Sequence, residues 1–174
     1  CNLASINLMK FRRQDGTFDI ERFRAVCRLF FIAQEILVDH ASYPTDRIAE
    51  NSHLYRPLGL GYSNLGSLLM SSGIAYDSDT AYSVCGSITA VLHGAANLAS
   101  AEMAGVVGPF AMYADNRDPM LRVMQMHRDA VAIGHSFGGV EDRPGALGVA
   151  HVVRLDPALG VLPQPRRTRR RLVP

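Results

Sequence analysis

The chain has 174 residues, of which 48% are hydrophobic and 20% charged, a composition typical of a globular protein. Its three cysteines lack the even count of a secreted disulfide framework, and no Cys/His cluster has zinc-like spacing, so we expect a reducing, cytoplasmic setting. No segment reads as a membrane span or a secretory leader, so we expect neither a membrane protein nor a secreted one.

The first eight residues, Cys-Asn-Leu-Ala-Ser-Ile-Asn-Leu, alternate apolar with small polar side chains. Such alternation predicts a buried strand, and here the strand would present Cys1 at its end. A lone cysteine is often only a small buried hydrophobe, so the strand by itself leaves the role of Cys1 open.

A turn over residues 14–17, marked by Asp-Gly, precedes a long helix predicted over residues 19–40. Apolar side chains recur along this helix at helical spacing, and Cys27 falls among them, so we interpret it as a packed core thiol. Pro44 ends the helical region, and Thr45 is expected to cap a second, short helix. The predicted stripe consists of Ile20, Phe23, Val26, Cys27, Phe30, Phe31, Gln34 (its one polar member), Leu37 and Val38.

Residues 56–62, Arg-Pro-Leu-Gly-Leu-Gly-Tyr, predict a second strand in which leucine alternates with glycine. Glycine in a strand marks the close approach of a backbone or ligand, or only eases packing between strand and helix. No third glycine stands at the spacing of a dinucleotide-binding fold, which excludes a Rossmann site. A short helix over residues 65–70 is predicted to end at Gly73.

The longest helix is predicted from its N-cap Ser78 to about Ala104, with Gly105 as the C-terminal signal. Small residues recur along it, which allows close packing against a sheet or another helix. Cys85 is interpreted as a buried thiol. His93 is interpreted as a packing or surface residue, because its sequence neighbours offer no second ligand.

A last helix is predicted to start with Asp118 as its cap and Pro119 at its first position, and to fade near Ile133. Asp118 and Pro119 together are a common helix-start signal, because a proline at the first position loses no intrahelical hydrogen bond. Methionine and other apolar residues give this helix a mixed apolar face.

The charge balance changes where this helix fades. Residues 1–133 carry 11 basic and 13 acidic side chains, a net of −2, whereas residues 134–174 carry 7 and 3, a net of +4. Gly, Pro and Arg dominate the second part, and helical periodicity ends there. We therefore expect a disordered, Arg/Pro/Gly-rich tail over residues 133–174, consistent with a change of reading frame and without part in catalysis.

Two of these stretches resemble a known family. Residues 1–8 resemble the redox-cysteine segment in the catalytic barrel of ribonucleotide reductases. The stretch from Arg56 to Gly73 is most similar to the class II enzymes, which depend on adenosylcobalamin. The resemblance covers about residues 1–132 and implies an α/β fold: a helix-rich internal fragment of the family's ten-stranded α/β barrel, followed by the irregular tail.

The resemblance implies an enzyme that converts ribonucleoside diphosphates to 2′-deoxyribonucleoside diphosphates for DNA synthesis and repair. In the family a thiyl radical on one barrel cysteine removes the substrate's 3′ hydrogen, and two further cysteines supply electrons and form a disulfide. Cys1 matches one of these two reducing cysteines. The other, the radical cysteine, and a glutamate and an asparagine that assist proton transfer are expected earlier in the enzyme, so the chain alone is expected to be inactive. Asn2 and Leu3 are expected to contact substrate.

The implied cofactor is adenosylcobalamin, for which no binding residue is identified, and no metal ligand is predicted. The implied partners are the diphosphate substrate, thioredoxin or a similar reductant, dNTP effectors in the full-length protein, and a second copy in a homodimer. One alternative is a class I reductase large subunit, whose radical comes from a metal-containing subunit. Another is a non-enzymatic helical module whose arginine-rich tail binds nucleic acid.

Overall fold

A computed structural model of the chain describes the backbone of residues 2–137 and the side chains as far as residue 130. Cys1 and residues 138–174 lie outside the described residues, and with them the predictions for Cys1 and for most of the tail. The elements are β1 (Asn2–Asn7), a 3-10 helix (Leu8–Phe11), α1 (Ile20–His40), α2 (Asp46–Tyr55), β2 (Leu58–Ser63), α3 (Leu65–Ser71), α4 (Asp79–Val107) and α5 (Tyr113–Phe137).

The two predicted strands are both present and pair in parallel. Asn2 stands opposite Leu58, and the register continues without a bulge to Asn7 opposite Ser63. Parallel neighbours need a crossover connection, which α1 and α2 provide. Helix α1 packs against both strands and against α4, so the described residues form a βαβ unit with a helical layer on one face of the sheet.

The core lies between the sheet and α1, α3 and α4, and an aromatic trio marks one end of it. Phe23 is fully buried, and its ring meets those of Phe11 and Phe18 edge-on at centroid distances of 5.2 and 5.4 Å. Phe11 and Phe18 are brought together by the predicted turn, where Gly16 adopts φ +86°. Edge-to-face aromatic contacts stabilise such clusters beyond their buried area.

Helix α1 begins where the sequence predicts, because the Asp19 side chain accepts a hydrogen bond from the backbone N–H of Arg22 at 3.1 Å. Cys27 is confirmed as a core thiol: it is fully buried, and desolvation raises its pKa to about 12. The predicted apolar stripe is wrong in part. Phe30 and Leu37 are 40% and 51% exposed, because α1 turns a narrower face to the sheet and α4.

The end of α4 lies beyond the predicted one. The helix continues past Ala104 and through Gly105 to Val107, and Gly108 is its C-cap with φ +90°. The N–H of Gly108 donates to the carbonyl of Ala104 at 3.0 Å. Gly108, which is followed by proline, therefore ends the helix with a positive φ, whereas Gly105 lies within the helix.

The start of α5 also differs from the prediction. The helix begins at Tyr113, so Pro119 lies inside it instead of at its first position. Local contacts outweigh the Asp118-Pro119 signal: the N–H of Tyr113 donates to the carbonyl of Phe110 at 2.9 Å, and their rings pack edge-on. The helix reaches Phe137, so the boundary predicted between residues 132 and 133 falls within a helix.

Contrary to the expectation from the sequence, helix α4 is long and apolar enough to cross a membrane by length and composition alone. An 18-residue window of it has mean hydropathy 1.2 and is 28% buried. The packing helix of a soluble protein passes the same test, so this is weak evidence. The large aliphatic residues of this helix, Val84, Ile88, Val91 and Leu92, are buried in the core.

Arg56 joins α1, α2 and the start of β2. Its guanidinium donates two parallel hydrogen bonds to Asp39, at 2.8 and 3.0 Å, and one to the carboxylate of Glu35. It also donates to the Glu35 carbonyl at 3.1 Å. The hydrogen bond to Arg56 holds the pKa of Asp39 below its usual value. The backbone of Arg56 is left-handed, with φ 45°, as the C-cap of α2.

We expect Arg56→Ala to lower the free energy of unfolding by about 1–3 kcal/mol, because several charge-assisted hydrogen bonds are lost at once. Denaturant unfolding at pH 7 measures this. The difference from wild type should shrink as pH falls below the ordinary aspartate pKa of 3.8, since protonation of Asp39 weakens the pair in the wild type. Arg117→Ala is the matched control, because among the described residues Arg117 pairs only with the adjacent Asp118, in an exposed position. Equal effects of the two substitutions would contradict the assignment.

Candidate functional site

The two faces of the sheet differ sharply. Ile6 is 4% exposed, and Leu60 and Tyr62 pack against the same core, so these side chains point to the helices. Because side chains alternate along a strand, the residues between them face the other way. Leu3 is one of these and is 82% exposed. We call this second surface the open face; it comprises Leu3, Ser5, Asn7, Gly59, Gly61 and Ser63.

Apart from Leu3, the open face consists of glycines and short polar side chains. Across the sheet, Ser5 lies opposite Gly61 and Leu3 opposite Gly59. A Cβ added at Gly61 would meet only the carbonyl oxygen of Ala4, at 4.0 Å, an ordinary contact. The close backbone approach that the sequence suggested is thus not made at Gly61 by the described residues. Gly61 therefore leaves room above the sheet for a ligand or another segment.

Gln34 fixes the amino-terminal ends of both strands. It is 3% exposed, and its side-chain amide donates to the carbonyl of Asn2 at 2.9 Å and to that of Gly59 at 2.7 Å. The side-chain amide of Asn2 donates back to the Gln34 carbonyl at 3.0 Å. This network holds the backbone next to Cys1 against α1. It also turns the Asn2 side chain to the helix side, whereas Leu3 lies on the open face.

Gln34→Leu should lower the free energy of unfolding by about 1–3 kcal/mol, because two strand carbonyls lose their buried donor. Hydrogen exchange should show faster opening at the amino-terminal ends of β1 and β2. Gln125→Leu is the matched control, since Gln125 is exposed and, in the described part of the chain, bonds only to Asp129 on its own helix. If exchange in the strands were unchanged by Gln34→Leu, the network would not position them.

Cys85 differs from the sequence-based interpretation, because it is only half-buried. Its Sγ lies 3.4 Å from the hydroxyl of Tyr62, which also bonds to the hydroxyl of Thr89 at 2.8 Å. Burial raises the pKa of Tyr62, and the hydrogen bond to Cys85 adds to the effect. Tyr62 reaches α4 from the helix side of β2, so this cluster links strand to helix behind the open face.

His93 has a histidine neighbour, His127, that is remote in sequence. Nδ1 of His127 lies 3.0 Å from Nε2 of His93, and the rings meet at a tilt. Burial and then the proximity of His127 lower the pKa of His93. The pair joins α4 to α5. Among the described residues no group of three or more His, Cys, Asp or Glu is placed to hold a metal ion.

Comparison with known proteins decides the family. Residues 1–144 match the barrel domain of ribonucleotide reductases. The chain belongs to the ribonucleotide reductase barrel-domain family. This confirms the resemblance and the fold class predicted from the sequence: a helix-rich piece of an α/β barrel with a small parallel sheet.

The curated relatives of this reductase segment agree with the match. The chain is 73% identical over 130 residues to a vitamin B12-dependent ribonucleotide reductase of Rhodopirellula baltica, which covers 75% of this chain. It is 48% identical over 150 residues to the enzyme of the same name from Agrobacterium fabrum, covering 84%. It is 35% identical over 113 residues to a ribonucleoside-diphosphate reductase large chain of Encephalitozoon cuniculi, covering 65%. The chain spans only 12%, 12% and 15% of these three relatives.

The reductase segment brings together only part of the predicted site. Leu3 is on the open face, Asn2 is bonded to α1, and Cys1 lies outside the described residues, so the substrate contacts stay predictions. Gln34 was missed as a positioning residue, although a polar side chain in an apolar stripe was a usable signal. His127 carried no such signal, because its partner is 34 residues away.

Proposed function

We propose that this chain is part of the catalytic barrel of an adenosylcobalamin-dependent ribonucleotide reductase that acts on ribonucleoside diphosphates. The observation that carries the proposal is the 73% identity over 130 residues to a relative named for its dependence on vitamin B12. The diphosphate level is supported by the name of the Encephalitozoon cuniculi relative, a ribonucleoside-diphosphate reductase. The product would serve DNA synthesis and repair.

In this proposal Cys1 is one of the two reducing cysteines. In sequence, Cys1 belongs to the same alternating set of positions as Leu3 and Ser5. The side chains of Leu3 and Ser5 face the open side of β1. As the 2′-hydroxyl leaves as water, the two thiols together give up two electrons and two protons and join as a disulfide. A dithiol such as that of thioredoxin then reduces the disulfide by exchange.

The other cysteines of the chain do not suit the partner's place. A disulfide needs Cα atoms within about 7 Å and an accessible thiolate. Cys27 is fully buried on α1, and its raised pKa disfavours the thiolate. Cys85 contacts Tyr62 on the helix side of β2. We therefore assign the partner thiol to another segment of the longer enzyme, together with the radical cysteine, the glutamate and the asparagine.

The residues described here do not themselves fit a corrin. The cleft that residues 10–22 form is open, about 460 Å³ in volume and cationic, whereas a corrin needs a broad surface that can cover its ring. Adenosylcobalamin would supply the radical from elsewhere in the enzyme. The role of this segment is to hold Cys1 in place through β1 and Gln34. Its glycines put no side chain on the open face.

The proposed partners are the diphosphate substrate, thioredoxin or a similar reductant, and dNTP effectors in the full-length, homodimeric enzyme of the cytoplasm. The main alternative is a class I large subunit. It is supported by the 35% identity to the ribonucleoside-diphosphate reductase large chain of Encephalitozoon cuniculi. The test is to assay the complete enzyme that contains this segment. We expect conversion of ADP only when adenosylcobalamin and a dithiol are added. Turnover without cobalamin, dependent on a metal-containing subunit, would favour class I.

A further inference from the structure

A basic cleft lies on the connection between β1 and α1. It has a volume of about 460 Å³, and its charged lining comprises Lys10, Arg12, Arg13, Arg22, Asp15 and Asp19. Four cations and two carboxylates leave a formal charge of +2. The cleft is at the carboxyl end of β1, roughly 20 Å along a six-residue strand from the end that follows Cys1.

The two carboxylates in the cleft are already engaged by the protein. Asp15 accepts hydrogen bonds from the N–H and the hydroxyl of Thr17, at 2.9 and 2.7 Å. Asp19 caps α1 by accepting from the N–H of Arg22, and it pairs with the guanidinium of Arg13 at 3.1 Å. Neither carboxylate forms an ion pair with Lys10, Arg12 or Arg22 among the described residues, and the cleft keeps its net formal charge of +2.

Two of the remaining guanidinium groups are held by neutral atoms. Arg12 donates from Nη2 to the carbonyl of Ser71 at 3.0 Å, and its Nε is buried without a hydrogen-bond partner among the described residues. Arg22 donates from Nη1 to the carbonyl of Lys10 at 3.5 Å and lies 5.8 Å from the centre of the Phe11 ring. These contacts orient both side chains while leaving their charge uncompensated.

We propose that this cleft binds an oligophosphate group, meaning two or more linked phosphates. Guanidinium groups match phosphate oxygens in geometry and charge, and here they are oriented before a ligand arrives. Lys10, Arg12 and Arg22 offer three cationic donors in a cleft of net charge +2, which suits a diphosphate better than a single phosphate. The volume also exceeds what one phosphate fills. The source of the group is either a free polyphosphate or the phosphate tail of a nucleotide.

Calorimetric titration of the 174-residue chain with pyrophosphate at low salt tests the proposal. We expect saturable binding that weakens with added salt, and a loss of about tenfold in affinity or more in the double variant Lys10→Gln/Arg22→Gln, because two charged donors are removed. Both side chains are exposed, and circular dichroism checks that the variant keeps its helices. Arg47→Gln, an exposed arginine on α2, is the matched control and should bind as wild type does.

Parallel titrations with ADP and adenosine identify the source of the phosphates. Equal affinity for ADP and pyrophosphate, with none for adenosine, supports a site for the phosphate group alone. Tighter binding of ADP supports a nucleotide tail as the source. No saturable binding of pyrophosphate, or equal binding by the double variant and wild type, overturns the proposal. If the double variant lost its helices, Lys10→Gln alone would be titrated, and unchanged affinity there would count against the site.

Discussion

Cys1→Ser in the complete reductase should reduce multiple turnover with thioredoxin to background. Serine can occupy the place of the thiol, but it can form no disulfide, so the electrons for the departure of the 2′-hydroxyl are missing. Radical formation should survive, because in the family it uses a different cysteine. Deoxyribonucleotide formed per enzyme over many cycles is the measurement. Sustained turnover by the serine variant would refute the assignment of Cys1.

The other two cysteines are the controls for this experiment. Cys27→Ala should cost about 1 kcal/mol of stability, a packing effect at a fully buried position, and leave turnover intact. Cys85→Ala removes the sulfur beside the Tyr62 hydroxyl and should also leave turnover intact. If either alanine variant stopped turnover while remaining folded, the redox cysteine would have been misidentified.

Phe23→Ala should have the largest effect on stability, a loss of about 3–5 kcal/mol in the free energy of unfolding. The ring is fully buried and contacts both Phe11 and Phe18. Its removal therefore leaves a cavity and eliminates both of these aromatic contacts. Native domains have free energies of unfolding of only about 5–15 kcal/mol, so this loss is a large fraction of the total stability. Thermal or denaturant unfolding measures it.

Phe30→Ala provides the matched comparison, since Phe30 is on the same helix but is 40% exposed. Its loss should be well under half that of Phe23→Ala. A comparable loss would mean that the outer side of α1 is covered, for instance by a second copy of the chain. Measuring the Phe30 variant at several protein concentrations would then separate self-association from intramolecular packing.

The elements that the sequence predicts best are those whose ends are marked locally. Asp19, Thr45 and Ser78 each accept a hydrogen bond from the first turn of their helix; Thr45 and Ser78 were predicted as caps, and Asp19 as the start of its helix. The start of α5 was predicted wrongly because the Phe110–Tyr113 contact outweighs the signal at Pro119. Phe110 and Tyr113 are three residues apart, as a cap and its N–H partner are, so both signals are local and the sequence does not rank them.

The two strands of the candidate site could be predicted from the sequence, but the long-range contacts that hold them in place could not. The alternation of residues 1–8 and the Leu-Gly repeat of residues 56–62 were enough to predict β1 and β2. The contacts of Gln34 with Asn2 and Gly59 span 32 and 25 residues, and no local pattern encodes them. The same holds for His93 with His127. Residues far apart in sequence meet only through the packing of α1 on the sheet and of α5 on α4.

The Gln34 network limits how the length of α1 can vary. One residue inserted between Ile20 and Gln34 would rotate the amide by about 100° and advance it by about 1.5 Å along the helix axis. It would then miss the carbonyls of Asn2 and Gly59, and β1 would lose its anchor beside Cys1. Insertions after His40, in the loop before α2, leave that phase untouched. We therefore expect length changes in this reductase segment to be tolerated after α1 and excluded from its first fifteen residues, numbered 20–34.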